Sequence, residues 1–212
     1  MMFKVKVCGI TNSSDARLAV SLGADMIGVI THKGSPRFVS HQKIQAIMKE
    51  IPPTVDKVLV AVGNDVSPQA RKAKRMGFDY LQWHGPLIKR EVQFAKNLGV
   101  RIILAVSNPT ASESRQAMAT GASLILLDNA SPRLHGGTGK PFDWSVRLPA
   151  RLQNIVLAGG ICADNVADGV RRFRPLVVDV NSGVESIPGK KSKSKLKRFF
   201  HVCDVIRYGS KA

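Results

Sequence analysis

Short runs of valine, isoleucine and leucine recur down this chain, and each is followed by a polar stretch compatible with a helix. Such runs have no polar face, which is the pattern of parallel strands covered on both sides by crossover helices. They predict strands near 3–7, 25–30, 56–62, 79–83, 100–106, 123–127, 154–158 and 176–180. Helices are predicted near 14–22, 41–50, 67–76, 87–98, 112–120, 143–149, 163–173 and 193–206. Gly23, Gly77, Gly99 and Gly121 each stand between a helix and the next strand, where a left-handed residue commonly ends a helix. Eight strand–helix units in 212 residues predict an α/β, single-domain (β/α)8 barrel of the TIM type, with residues 1–212 as one domain. An open doubly wound sheet is the competing architecture. No Gly-x-Gly-x-x-Gly follows the first strand to support it.

Apolar residues at 44% and charged residues at 22% are ordinary for a globular domain and argue against disorder. No apolar run reaches the length of a membrane span, and the first residues alternate like a strand rather than resembling a signal peptide, so the expected compartment is the cytoplasm. Cys8, Cys162 and Cys203 are too scattered for a disulfide framework or a zinc site, and are expected to be reduced thiols. The net charge of +17 would attract any polyanion, or a small anionic substrate. Only Lys190–Arg198 is densely basic, and no aromatic side chains interleave there as nucleic-acid stacking requires. A nucleic-acid partner is therefore not expected.

In a barrel the residues just after each strand converge on one mouth. Cys8 follows the first strand, and reads either as an inert buried thiol or as a reactive one. Arg37, beside Pro36, suits a carboxylate clamp, against the alternative of a solvated loop arginine. His84 ends the fourth strand, as a packing or a site histidine. Asp128 ends the buried run of the sixth strand, where a carboxylate needs a partner or a task. A glycine-rich segment, Gly136–Lys140, follows it. Gly159-Gly160 after the seventh strand and Asn181-Ser182-Gly183 after the eighth look like a phosphate cradle, placed on the two loops where barrels commonly bind phosphate.

Six ordered motifs carry a more specific signal. They are Lys6-Val7-Cys8-Gly9-Ile10-Thr11, Ser35-Pro36-Arg37-Phe38-Val39-Ser40, Leu81-Gln82-Trp83-His84-Gly85, Gly136-Gly137-Thr138-Gly139-Lys140-Pro141-Phe142-Asp143-Trp144, Leu157-Ala158-Gly159-Gly160-Ile161, and Val178-Asp179-Val180-Asn181-Ser182-Gly183-Val184-Glu185. Together they resemble the phosphoribosylanthranilate isomerase family across nearly the whole chain. The resemblance implies an Amadori rearrangement of N-(5′-phosphoribosyl)anthranilate in tryptophan biosynthesis, without metal or organic cofactor. It implies Asp128 as general acid and Cys8 as general base, so that the acid must be protonated and the thiol ionised. It also implies Arg37 on the anthranilate carboxylate, and Gly159, Gly160, Ser182 and Gly183 on the phosphate. Asp179 and His84 are implied as further polar residues of the site; Glu185 matches the closing motif, and a structural salt bridge is its expected use. The partner is then a small phosphorylated substrate, and the protein a monomer or homodimer. The chain departs from the family pattern at Gly28-Val29-Ile30-Thr31-His32 and Ala61-Val62-Gly63-Asn64, where aromatic residues are usual, and at Asn181. A related barrel isomerase acting on another aminosugar phosphate is the alternative.

Overall fold

The computed structural model describes residues 2–107, 109–128, 148, 149, 152 and 154–209. Eight parallel strands close on themselves: β1 (Lys4–Val7), β2 (Met26–Ile30), β3 (Asp56–Val62), β4 (Tyr80–His84), β5 (Arg101–Ser107), β6 (Leu124–Asp128), β7 (Ile155–Leu157) and β8 (Val177–Val180). Pairing of Lys4 with Val177 through Val7 with Val180 joins β8 to β1 and completes the ring, excluding the open sheet. Between the strands run α1 (Ser13–Ser21), α2 (His41–Met48), α3 (Val66–Arg75), α4 (Lys89–Asn97), α5 (Ala111–Ala119) and α6 (Val166–Phe173). The helix expected over 143–149 falls almost wholly outside the described residues, as does Gly136–Trp144. Beyond β8 the chain adds a small antiparallel pair, β9 (Glu185–Ile187) and β10 (Lys190–Lys191), before α7 (Lys193–Tyr208).

The apolar strands divide their side chains between two cores. Val5, Val7, Ile27, Val29, Leu59 and Leu81 face outward against helix residues such as Ala16, Ile44 and Ala70. Met26, Val58, Val60, Ile103, Leu126 and Val156 fill the lumen. Because side chains alternate along a strand, Lys4, Lys6 and the following Cys8 share the inward face of β1.

Local chemistry sets the joints. Asn12 caps α1 by accepting from the Asp15 amide at 2.8 Å, and Thr110 with Glu113 forms a capping box on α5. Gly77, Gly99 and Gly121 take φ of 76°, 75° and 78° at the exits of α3, α4 and α5. At the exit of α6 the same left-handed turn falls to Arg174, with φ of 45°. It is the only non-glycine residue with positive φ among those described.

Candidate active site

The carboxyl ends of the strands surround a cavity lined by Cys8 after β1, His84 ending β4, Asp128 ending β6, Gly159 and Gly160 after β7, and Asp179, Asn181 and Ser182 from β8 and its loop. Ile30, Val60, Gln82, Ala158 and Ile161 supply the remaining wall. The sulfur-bearing and carboxyl-bearing residues at 8 and 128 thus come from distant strands to one space. Of the described residues singled out in the sequence, Arg37, Gly183 and Glu185 do not line it.

At the β7 end, Gly159 and Gly160 take consecutive left-handed conformations, φ 73° and 67°. Asn165 braces this turn by donating to the Gly160 carbonyl at 2.9 Å while accepting from the Cys162 amide at 2.9 Å. The backbone N–H groups of Gly159 and Gly160 donate to no described residue. A twin-glycine turn of this kind forms a concavity suited to an anion. Gly183 supports it from behind: a Cβ there would stand 2.1 Å from the Ile161 carbonyl oxygen, so only glycine lets the loops after β7 and β8 touch.

Arg37 is buried, and the carboxylate it clamps belongs to the protein. Its Nε donates to Glu185 Oε1 at 2.9 Å and its Nη2 to Oε2 at 2.6 Å. A guanidinium this deeply buried needs a counterion within the fold, and Glu185 supplies it. Arg37 Nη1 donates to no described residue. Lys191 reinforces the knot, its Nζ reaching Glu185 Oε1 at 3.1 Å and Asn181 Oδ1 at 2.9 Å. Burial pushes the Glu185 carboxyl up, but Arg37 and Lys191 outweigh it and hold the group below its ordinary value.

Sequence reasoning quoted Lys6 without giving it a role. Lys6 is fully buried, and its Nζ lies 2.7 Å from Asp179 Oδ2. The signal was the strand period, which puts residues 6 and 8 on one face. Asp179 uses only that oxygen; Oδ1 has no hydrogen-bond partner among the described residues, and neither has Gln82 Oε1. Burial pushes the Cys8 thiol up and Asp179 adds to this, against Lys6 and Lys191, which pull it down. The net direction is upward, opposite to that expected for a ready-made thiolate. Burial also raises Asp179, with Lys6 opposing. Cys203, buried away from the mouth, is pushed up to about 12 by burial, with Arg207 opposing weakly.

The model of the family described as N-(5′-phosphoribosyl)anthranilate (PRA) isomerase matches residues 5–202. The chain belongs to the N-(5′-phosphoribosyl)anthranilate isomerase family. A relative of that name from Pelobacter propionicus is 38% identical over 207 residues, covering 97% of this chain and 98% of its own. The crystal structure of phosphoribosyl anthranilate isomerase from Thermus thermophilus superposes with a TM-score of 0.85 at 29% identity, covering 97% of this chain and all of that one. Another phosphoribosyl anthranilate isomerase, solved in complex with reduced 1-(o-carboxyphenylamino)-1-deoxyribulose 5-phosphate, gives a TM-score of 0.82 at 32% identity, covering 96% and 99%. Phosphoribosylanthranilate isomerase membership thus spans the barrel from β1 to α7.

Proposed function

We propose that this chain isomerises N-(5′-phosphoribosyl)anthranilate in tryptophan biosynthesis, with Asp128 as general acid and Cys8 as general base. The observation that carries the reading is the shared cavity of Cys8 and Asp128, with the Gly159-Gly160 turn on the same wall. Asp128, protonated, gives its proton to the ribose ring oxygen. The C1′–O bond breaks, and the anthranilate nitrogen lone pair closes an iminium. The Cys8 thiolate removes the C2′ proton, and those electrons move toward the iminium to give an enolamine. Tautomerisation carries a proton to C1′ and leaves the 2′-ketone. Cys8 ends protonated and Asp128 ionised, so the pair must exchange a proton with solvent or with each other before the next cycle.

The phosphate sits against the backbone of Gly159, Gly160 and Ser182, with Gly183 keeping the two loops in contact. Arg37, fixed by Glu185 through Nε and Nη2, has Nη1 left to offer the anthranilate carboxylate. His84 and Asp179 offer polar contacts to the opened ribose. Both anionic ends of the substrate suit a chain of net charge +17. The cytoplasm, where thiols stay reduced, is the compartment this chemistry needs; among the described residues no helix is long and apolar enough to cross a membrane. The test is loss of substrate fluorescence with purified protein and with Cys8→Ala and Asp128→Ala. Each variant is expected to lose about 10²–10⁴-fold in turnover, and full activity in either overturns the assignment.

A further inference from the structure

The proposed reaction needs a sulfur anion in a place where burial opposes one, and the lumen holds a cation the reaction does not otherwise use. We propose that Lys6 is the positioning residue of the base: an ammonium tethered by Asp179 beside the Cys8 sulfur, which stabilises the thiolate against the cost of its burial. The inference rests on the reading of Cys8 as the base.

Three observations support it. First, the position a Cβ would take on Gly28 lies 2.9 Å from Cys8 Sγ and 3.2 Å from Lys6 Nζ. Sulfur and ammonium therefore border one gap on β2 that only glycine leaves open. Second, a buried ion pair is a poor way to stabilise a lumen, because desolvation of both charges cancels much of their attraction. Met26, Val58, Ile103 and Leu126 fill the lumen around it with apolar volume. Packing alone asks for the same at position 6. Third, Asp179, a residue of the cavity wall, holds Lys6 with one oxygen only and leaves its buried Oδ1 without a described partner. Its charge partly offsets that of Lys6, so the field at the sulfur is a balance of the two. The other charged or titratable groups facing Cys8 are Lys191 on β10 and, across the cavity, His84 on β4 and Asp128 on β6.

The electrostatic role has a signature that a packing role lacks, namely opposite signs for the two partners. The experiment is the pH titration of thiolate ultraviolet absorbance, each protein measured against its own Cys8→Ala counterpart to remove Cys162 and Cys203, together with the pH profile of kcat/KM. Lys6→Met removes the cation, and the Cys8 titration is expected to move up by about 1–3 pH units. Turnover at neutral pH falls about tenfold per unit, with recovery in alkali. Asp179→Asn keeps an acceptor for the ammonium but removes the negative charge, and the titration is expected to move down. Titrations unmoved in both folded variants, or moved in the same direction, overturn the proposal. If Lys6→Met does not fold, Lys6→Gln, which keeps a donor for Asp179 but carries no charge, takes its place: an upward shift supports the role of Lys6, and an unmoved or lowered titration overturns it. Full turnover in Cys8→Ala would instead remove the base, whatever the titrations show. An inactive Cys8→Ala with unmoved titrations removes only Lys6.

Discussion

Lys4 and Lys6 lie on the same strand and the same face, two residues apart, yet they belong to different ends of the barrel. Lys4 stands at the amino-terminal floor with its side chain 54% exposed, 2.9 Å from Asp56, which also receives Arg101 at 2.9 Å. Arg101 in turn stacks on the Tyr80 ring at 3.9 Å. Lys6 is wholly out of water, with Asp179 as its counterion. At the floor, charges keep contact with solvent and the carboxylate is matched from two sides. Toward the mouth, charges are buried and acceptors are left over. The difference follows from use: a surface ion network holds a rim together at low cost, whereas desolvated charge is tolerated where it acts on a ligand or a reacting group.

The sharpest way to break this contrast is to remove charge at the mouth and read activity and stability separately. Asp128→Asn is expected to lower kcat by about 10²–10⁴-fold while unfolding stability stays within about 0.5 kcal/mol of the parent. Steady-state kinetics and chemical denaturation on the same preparation check this. A stability loss as large as the activity loss would make Asp128 a structural residue and erase the distinction between the two ends.

Glu185→Gln tests the mouth in the opposite sense, since Glu185 serves the scaffold. The change leaves Arg37 and Lys191 buried without their counterion, and a loss of about 3–5 kcal/mol is expected. The sign with pH follows from the direction of the Glu185 shift. Its folded value is held below the ordinary one, so its contribution is complete above the unfolded value. It disappears as pH falls through the folded value. The stability gap between parent and Glu185→Gln should therefore be full at neutral pH and close in acid. A gap independent of pH would mean that the knot stabilises through packing, not charge.

A smaller effect is expected where backbone alone acts. Gly160→Ala puts a side chain on a residue with φ of 67°. Such a conformation costs an L-residue about 1–2 kcal/mol, enough to turn the Gly159-Gly160 N–H groups away from an anion. KM and the inhibition constant of inorganic phosphate should rise together while kcat changes little. If kcat alone falls, the turn belongs to the chemistry and not to the phosphate.

These outcomes bear on what the sequence could reveal. The strands were legible because both faces of each are buried, so Val, Ile and Leu crowd into runs that no other element explains. The convergence of Cys8, His84 and Asp128 on one cavity was legible because a barrel sends every strand end to one mouth. Pairings across long stretches of chain were not: nothing local in Ser35-Pro36-Arg37 announces Glu185, or in β1 announces Asp179. Lys6 looked like the polar half of an alternating edge, since the period places it on a face without saying which face is the lumen. The β9–β10 pair was missed because its Pro, Gly and Lys residues carry no strand pattern. Arg174 shows the same limit, taking a left-handed turn that sequence assigns to glycine at the exits of α3, α4 and α5.

The floor supplies the counterpart with the least expected effect. Asp56→Asn removes the carboxylate shared by Lys4 and Arg101, both half exposed, yet the amide still accepts a hydrogen bond and Arg101 keeps its seat on Tyr80. Exposed pairs of this kind contribute about 0.2–1 kcal/mol each, screened further by salt. Thermal unfolding should register a loss of that size, shrinking as salt is added, with kcat and KM unchanged. A floor mutation that altered kcat would mean that the lumen transmits charge along β1 from Lys4 to Lys6. Because the charge nearest Lys6 is Asp179 at 2.7 Å, and Lys4 has its own counterion in Asp56 at the floor, the expected answer is that it does not.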